Sequence, residues 1–205
     1  MISRCILTVL LFCCTNSFSQ NLDLRLLNSI HGSRNQSWDG AMNVISFTTY
    51  PVSLAVPITQ FAYGIANRDQ KSIENSLMSA TALAVNTVIV YSMKYTIRRD
   101  RPYIAHPQYT PYEQDESPSL PSGHTSFAFT TATDLSIQYP KWYVIAPAYL
   151  WAGTIGYSRI HLGAHYPSDV LVGAVVGVAS SYISYHGNRW LKGYWRKKTE
   201  QKFLD

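Results

Sequence analysis

The stretch SRIHLGAHYPSD, residues 158–169, holds two histidines four residues apart and an aspartate four residues after the second. Histidines at this spacing can share a metal ion on one face of a continuous helix. Gly163 and Pro167 oppose such a helix, and no third ligand is nearby in the sequence. Alternatively, Asp169 orients the ring of His165, which fixes its tautomer and leaves the other nitrogen free for nucleophilic attack.

A second group of charges follows a long uncharged stretch, in KYTIRRDRP, residues 94–102. Lys94 and Arg101 are seven residues apart, or two helical turns, so we expect both to project from one face at the end of a helix. Arg98 would share that face and Arg99 would lie off it. Cations also suit a helix C-terminus, so a solvated helix end is an alternative. Two cations aimed at one place would form a clamp for phosphate.

The third group is SLPSGHTSFAF, residues 119–129. Ser122 is a typical N-cap, Gly123 allows a ligand to approach the backbone, and His124 falls in the first helical turn. Free N–H groups at a helix start attract an anion, although an ordinary cap beside an incidental histidine is the commoner arrangement. A histidine beside a bound anion could pass a proton to a leaving oxygen.

Together the three groups contain what phosphoryl transfer requires. Cations and amides would neutralise the phosphoryl oxygens, one histidine would attack phosphorus, and the other would protonate the leaving group. This arrangement requires no metal ion. The candidate residues are Lys94, Arg101, Ser122, Gly123, His124, Arg159, His165 and Asp169.

Helices must position these residues, because the chain contains long uncharged runs without the alternation of strands. The runs are residues 40–67, 75–93, 142–158 and 170–188, with a fifth apolar segment at 125–139 that carries Asp134. We therefore expect an all-α bundle of about five to six helices. Only 14% of the 205 residues are charged, which favours a membrane-embedded bundle. The mean hydropathy of -0.07 keeps a soluble periplasmic bundle as the alternative.

The distribution of charge predicts an orientation. Basic residues lie in the turn at 68–74, at Lys141 and in the tail from Arg189, and the positive-inside rule places these ends in the cytoplasm. The three motifs then share the opposite, periplasmic side of a bacterial inner membrane. The sequence lacks the basic stripe with interleaved aromatics that would indicate nucleic acid binding. The sequence does not determine the oligomeric state.

The N-terminus is typical of a secretory signal. Arg4 precedes an apolar core, residues 6–14, and a small-x-small site at residues 17–19, so we expect cleavage after residue 19 and one helical domain over residues 20–205. An uncleaved anchor is the lesser alternative. All three cysteines lie before residue 15, so the remaining chain can form no disulfide.

The three motifs resemble the signature of the type 2 phosphatidic acid phosphatase / vanadium haloperoxidase superfamily, K-x6-R-P, P-S-G-H and S-R-x5-H-x3-D, without departure in any motif residue. The resemblance implies a metal-independent phosphatase with a phosphohistidine intermediate and no cofactor. It implies that His165 is the nucleophile, Asp169 its orienting partner and His124 the acid. The phosphate would be held by Lys94, Arg101, Ser122, Gly123 and Arg159, whereas His161 receives no role.

The superfamily contains three kinds of enzyme. We expect a membrane lipid phosphatase acting on phosphatidic acid, phosphatidylglycerophosphate, a polyprenyl diphosphate or lipid A. A soluble periplasmic acid phosphatase is the alternative, and a vanadium haloperoxidase a more distant one because those chains are much longer. The proline-rich loop at 101–121, with Glu113, Asp115 and Glu116, is expected beside the site, although a solvated connector is also compatible with its composition.

Overall fold

The computed structural model describes residues 22–202, and these form a helical bundle with no strand among them. Residues 22–27 are helical, and a π-helical turn at Asn28–Gly32 and a 3-10 turn at Gln36–Trp38 follow. The remaining helices are α1 Asp39–Phe47, α2 Thr49–Asn67, α3 Gln70–Ile97, α4 Pro102–Ala105, α5 Gly123–Gln138, α6 Trp142–His161 and α7 Pro167–Lys202. Six of them have nine or more residues, which confirms the predicted all-α bundle. The predicted signal, residues 1–19, lies outside the described part.

Helices α2, α3, α5, α6 and α7 alternate in direction, so four of them meet at one end of the bundle. Helix α3 ends there, α5 begins there, α6 ends there and α7 begins there. The opposite end carries two turns. Arg68 is the C-cap of α2 in the first, and Lys141 is the N-cap of α6 after the second. The first motif spans the end of α3, the second the start of α5, and the third both the end of α6 and the start of α7.

Helix α3 stops earlier than the motif spacing predicts. Arg98 adopts a left-handed conformation with φ 53°, and its N–H donates to the carbonyl oxygen of Lys94 at 2.9 Å. Arg101 therefore lies beyond the helix, in extended backbone before α4. The expectation that Lys94 and Arg101 project from one continuous helix was wrong, because the chain turns at Arg98 and brings Arg101 back by a different path.

Helix α5 lies at the centre of the bundle, and its buried side chains are small: alanine, serine and threonine, with Asp134 near its end. It packs closely on α7, where glycines four residues apart face it. A Cβ on Gly173 would come within 2.7 Å of the carbonyl oxygen of Ser122, and a Cβ on Gly177 would collide with the carbonyl oxygen of Ser126. This close approach fixes the start of α5 against the start of α7.

Three stretches are long and apolar enough to cross a membrane: Gln36–Asn67, Gln70–Ala105 and Pro167–Leu191. Large apolar side chains project outward from these helices, among them Phe47, Ile58, Val88, Leu171 and Val175. The interior carries buried hydroxyl groups instead, including Ser53, Ser76, Ser79, Ser180 and Ser181. Apolar outer faces of this extent suit lipid rather than water, so the chain is a membrane protein.

Candidate active site

A cleft of about 350 Å³ opens at the end of the bundle where the motifs meet. Its lining includes five of the predicted site residues, namely Lys94, Arg101, Gly123, His124 and His165. Tyr50, Val90, Tyr91, Tyr95 and Phe127 form its apolar and aromatic side. The cleft therefore combines cations and imidazoles at its base with a hydrocarbon-compatible wall.

His165 lies in the short loop between α6 and α7. Gly163, with φ 72°, ends the turn after α6, and Pro167 begins α7, so the predicted break between His161 and His165 is confirmed. Nδ1 of His165 is 3.6 Å from Oδ2 of Asp169. The predicted histidine–carboxylate pair is therefore assembled across the first turn of α7.

Ser119 was not predicted, and its hydroxyl sits beside this pair. It donates to Oδ2 of Asp169 at 2.5 Å and lies 3.4 Å from Nδ1 of His165. The backbone N–H of Tyr166 donates to the same carboxylate oxygen at 3.0 Å. Three groups thus converge on Oδ2 of Asp169, which restricts the rotation of both the carboxylate and the imidazole.

Burial keeps the imidazole of His165 uncharged. The side chain is almost completely enclosed, and burial lowers its pKa to about 3, with Arg101 and Arg159 acting in the same direction and Asp169 opposing them. An uncharged ring retains a lone pair on the nitrogen that does not face Asp169, as a nucleophile requires.

His124 occupies the first turn of α5, as predicted, and its ring contacts Tyr50 with centroids 4.8 Å apart. Burial lowers its pKa to about 3, and the positive charge of Arg159 adds to the effect. In this structure His124 is therefore uncharged. Any role as an acid requires that a proton arrive with the substrate or that substrate charge raise the pKa of the ring.

Ser122 stands at the N-cap position of α5 but makes no side-chain capping bond. Its backbone N–H donates to the carbonyl oxygen of Asp169 at 3.0 Å, and its hydroxyl accepts from Thr125 at 3.0 Å. The Ser122 N–H thus links two motifs and is already hydrogen-bonded. The expectation that this N–H is free to bind an anion therefore needs correction. The hydroxyl proton of Ser122 remains able to donate. At Gly123 the nearest atom to an added Cβ is the Tyr50 hydroxyl at 3.5 Å.

The acidic loop occupies both cations of the first motif. The Asp115 carboxylate is 2.7 Å from Nη2 of Arg101, and Ser117 accepts from Nζ of Lys94 and from Nη2 of Arg101, both at 3.1 Å. Although partial burial opposes its ionisation, the Ser117 N–H and Arg101 hold the pKa of Asp115 below its usual range. The loop at 101–121 is therefore part of the site rather than a solvated connector.

Arg159 is buried and has a donor that it does not use. Its Nη1 donates to the Ser46 hydroxyl at 2.9 Å, whereas its buried Nε has no hydrogen-bond partner. Arg101 is close enough for the two positive charges to repel each other. A buried guanidinium with an unused N–H is a strong attractor for an anion.

His161 points to a different carboxylate from His165. Its Nε2 is 3.0 Å from Oδ1 of Asp39 on α1, and Arg34 pairs with the same carboxylate at 3.1 Å. Among the described residues, no group of three or more His, Cys, Asp or Glu side chains could hold a metal ion. The two histidines of the motif therefore serve separate contacts.

Several site residues were absent from the sequence prediction. Tyr50, Ser46 and Ser119 carry no local pattern that would mark them. Asp115 belongs to the acidic loop expected beside the site, but its cluster does not predict the contact with Arg101, whereas Arg99 could have been suspected from the density of arginines before Pro102. A continuous helix predicts that Arg99 faces away from the site, but α3 ends at Ile97, before this residue.

Fold and site together define a membrane-embedded helical bundle with cations and imidazoles gathered at one end. Residues 76–192, more than half of the chain, match the PAP2 superfamily. The protein belongs to this superfamily, as its three motifs predicted.

Two relatives of the chain are named as a lipid A phosphatase and an undecaprenyl-diphosphatase. The chain is 31% identical over 137 residues to the lipid A 1-phosphatase of Porphyromonas gingivalis, covering 65% of this chain and 28% of that protein. It is 34% identical over 92 residues to the undecaprenyl-diphosphatase of Sulfolobus acidocaldarius, covering 44% of each. The chain thus spans less than half the length of these two relatives.

A solved structure shares the fold over nearly its whole length. The crystal structure of Aquifex aeolicus LpxE aligns with a TM-score of 0.68 and 30% sequence identity, covering 80% of this chain and 95% of that chain. The bundle and its helix order are therefore a shared architecture.

Proposed function

We propose that this protein is a metal-independent phosphatase that hydrolyses a lipid phosphate or diphosphate through a phosphohistidine intermediate. The observation that carries the proposal is an enclosed, uncharged imidazole, His165, in one cleft with the cations Lys94 and Arg101. The cleft stands at the end of a bundle with three helices of membrane-spanning length.

The first chemical step forms a bond between the free ring nitrogen of His165 and phosphorus. The lone pair attacks phosphorus while the bond to the leaving oxygen breaks, and that oxygen takes a proton from His124. Lys94, Arg101 and Arg159 balance the charge on the three equatorial oxygens. Asp169 stabilises the positive charge that develops on the His165 ring.

The second step returns the enzyme to its initial state. Water attacks phosphorus, His124 accepts a proton from that water, and the phosphorus–nitrogen bond breaks with its electron pair returning to His165. Inorganic phosphate leaves and takes the proton that His124 holds, so the ring is again uncharged. Atoms and charge balance without a further reactant.

The proton on His124 has a physical origin in the substrate. The pKa of the ring, about 3 in this structure, would leave it unprotonated at neutral pH. A bound phosphate adds negative charge beside the ring and raises that pKa, and a substrate phosphate monoanion carries the required proton with it. We infer that His124 becomes a protonated acid only when the substrate phosphate is bound beside it.

Lipid substrates fit the walls of the cleft. Tyr91 and Tyr95 line it from α3, a helix of membrane-spanning length, and both side chains are about half exposed. An acyl or prenyl chain could lie along this surface within the bilayer while the phosphate reaches the cations. The lipid-phosphatase names of the relatives and the three membrane-spanning stretches favour this function over that of a soluble acid phosphatase.

We place the cleft on the periplasmic side of a bacterial inner membrane. Arg68 and Lys141 cap helices at the opposite end of the bundle, which supports the orientation expected from the positive-inside rule. Glu116→Cys should react with a membrane-impermeant maleimide in intact spheroplasts, whereas Lys141→Cys should react only after permeabilisation. The reverse pattern would overturn the orientation.

The test of function is phosphate release by protein purified in detergent. Substrates should include lipid A, phosphatidic acid, phosphatidylglycerophosphate, a polyprenyl diphosphate and small phosphomonoesters. We expect turnover of at least one lipid, retained in EDTA and abolished by His165→Ala. His186→Gln, at an exposed histidine of α7 far from the cleft, is the matched control and should remain active.

Quenched reactions should contain an acid-labile, base-stable phosphoryl label on the wild type and none on His165→Ala. Activity lost in EDTA and restored by zinc would contradict the metal-independent mechanism. Turnover of small phosphomonoesters alone would contradict the lipid assignment.

A further inference from the structure

Arg99 reaches the carboxylate of Asp169 from the side opposite His165. Its Nη1 lies 2.6 Å from Oδ1 of Asp169 and 2.7 Å from the hydroxyl of Ser168. Oδ2 of the same carboxylate faces Ser119 and His165. One oxygen of Asp169 is thus held by Arg99, and this leaves the other for the imidazole.

A second carboxylate holds Arg99 in turn. Nη2 of Arg99 lies 2.9 Å from Oδ2 of Asp23, which belongs to the helical segment at residues 22–27. Asp23 is itself buried, and its Oδ1 accepts the backbone N–H of Ser168 at 2.9 Å. The carboxylate of Asp23 therefore caps the start of α7, the turn on which Asp169 stands.

The Arg99 guanidinium is also fixed in its plane. Its central carbon lies 4.0 Å from the centre of the Tyr166 ring. A stacked guanidinium with two acceptors on two of its nitrogens has little freedom to rotate. Lysine offers a single ammonium and could not occupy both positions in the same geometry.

We propose that Arg99 and Asp23 are positioning residues for the nucleophile, linked in the order Asp23, Arg99, Asp169, His165. Arg99 fixes the rotation of the Asp169 carboxylate, and Asp23 fixes Arg99 and the first turn of α7. The proposal rests on the proposed function in one respect, the assignment of His165 as the reacting group. It extends the site to Asp23, which precedes the part of the chain that matches the superfamily.

Steady-state kinetics with the lipid substrate tests the proposal. Arg99→Ala should lower kcat about 10- to 100-fold, as losses of groups that orient a reacting ligand do, while KM changes by less than about twofold because Arg99 lines none of the cation cleft. Arg99→Lys keeps the charge and should recover only part of the loss. Arg98→Ala is the matched control, since Arg98 is exposed and its Nε donates to the carbonyl oxygen of Tyr95.

Chemical rescue separates positioning from a general structural role. Added guanidinium ion should restore kcat of Arg99→Ala in a saturable manner and leave the wild type and Arg98→Ala unchanged. Asp23→Asn should also lower kcat, and the double variant Asp23→Asn/Arg99→Ala should lose little more than Arg99→Ala alone, because the two residues act through one contact.

Full kcat in Arg99→Ala, or additive losses in the double variant, would overturn the proposal. Loss of kcat without rescue, accompanied by an equal loss in Arg99→Lys and a lower melting temperature, would also overturn it. His165→Ala distinguishes this failure from that of the proposed function. If His165→Ala is active, the nucleophile assignment is rejected. If His165→Ala is inactive and Arg99→Ala keeps full kcat, only the positioning role is rejected.

Discussion

The carboxylate of Asp115 lies 2.7 Å from the guanidinium of Arg101, in the same cleft as His124 and His165. Arg101 is buried, whereas the Asp115 side chain is 47% exposed, so the anion reaches the cation from the loop side. In the proposed mechanism a phosphoryl oxygen must take this place. The protein therefore supplies an internal anion that competes with substrate and product for one cation.

Asp115→Asn should tighten inhibition by inorganic phosphate and by vanadate. The competing charge is lost while the side chain keeps its size. For a half-exposed ion pair the expected change in inhibition constant is about two- to fivefold. Glu116→Gln, at an exposed neighbour, should leave both constants unchanged. Equal constants for Asp115→Asn and the wild type would mean that the loop moves away before any anion binds.

His124→Ala should show a loss that depends on the leaving group. An alkoxide leaving from a lipid phosphate needs a proton, and removal of a general acid costs about 10²- to 10⁴-fold. The anion of p-nitrophenol leaves without one, so p-nitrophenyl phosphate should lose much less. Single-turnover phosphate release with both substrates measures the ratio. Equal losses would show that His124 does not protonate the leaving oxygen.

Stability should fall as pH falls below 6.5. The pKa values of His124 and His165 are lowered from 6.5 to about 3 in the folded protein. Between these values the unfolded chain binds protons that the folded chain excludes, so the free energy of unfolding decreases towards acid pH. Melting temperatures from pH 7 to pH 4.5 should decline less steeply in His124→Gln/His165→Gln than in the wild type. An identical slope in both would contradict the burial of uncharged rings, and His186→Gln supplies the control.

Gly173→Ala should destabilise the bundle and reduce activity together. The added Cβ would meet the carbonyl oxygen of Ser122 at 2.7 Å, and overpacking of this kind costs about 1–3 kcal/mol. Gly187→Ala, on the same helix, has nothing within 4 Å of its Cβ and shares any gain in helix propensity. Thermal melting of the two variants in detergent gives the comparison. An unchanged melting temperature for Gly173→Ala would show that α5 and α7 separate without cost.

The sequence predicted the helices and the end of the bundle that carries the site, because both follow from short-range information. Uncharged runs define the helices, and successive helices of a bundle run back and forth between the same two ends. The breaks at Gly163 and Pro167 were also readable, since they depend on backbone preferences of single residues. These features need no knowledge of what packs against what.

Contacts between distant segments were not readable in the same way. The helical phase of Arg99 pointed away from Lys94, and that inference failed because α3 ends at Ile97. The pairing of Asp115 with Arg101 depends on the path of a proline-rich loop, which no periodicity describes. Asp23 and Asp169 are 146 residues apart in the chain, and only tertiary structure brings them to one guanidinium.

Buried hydroxyls and outward apolar side chains together determine which substitutions this protein can accept. In a water-soluble bundle the interior tolerates exchanges among large aliphatic residues, and the surface tolerates polarity. Here the outer positions, such as Ile58 and Val175, should accept any large aliphatic residue, whereas Ser126 and Thr130 on α5 leave room only for small side chains that can hydrogen-bond. Random variation would therefore accumulate on the lipid side of each helix and spare the side lined with serine and threonine.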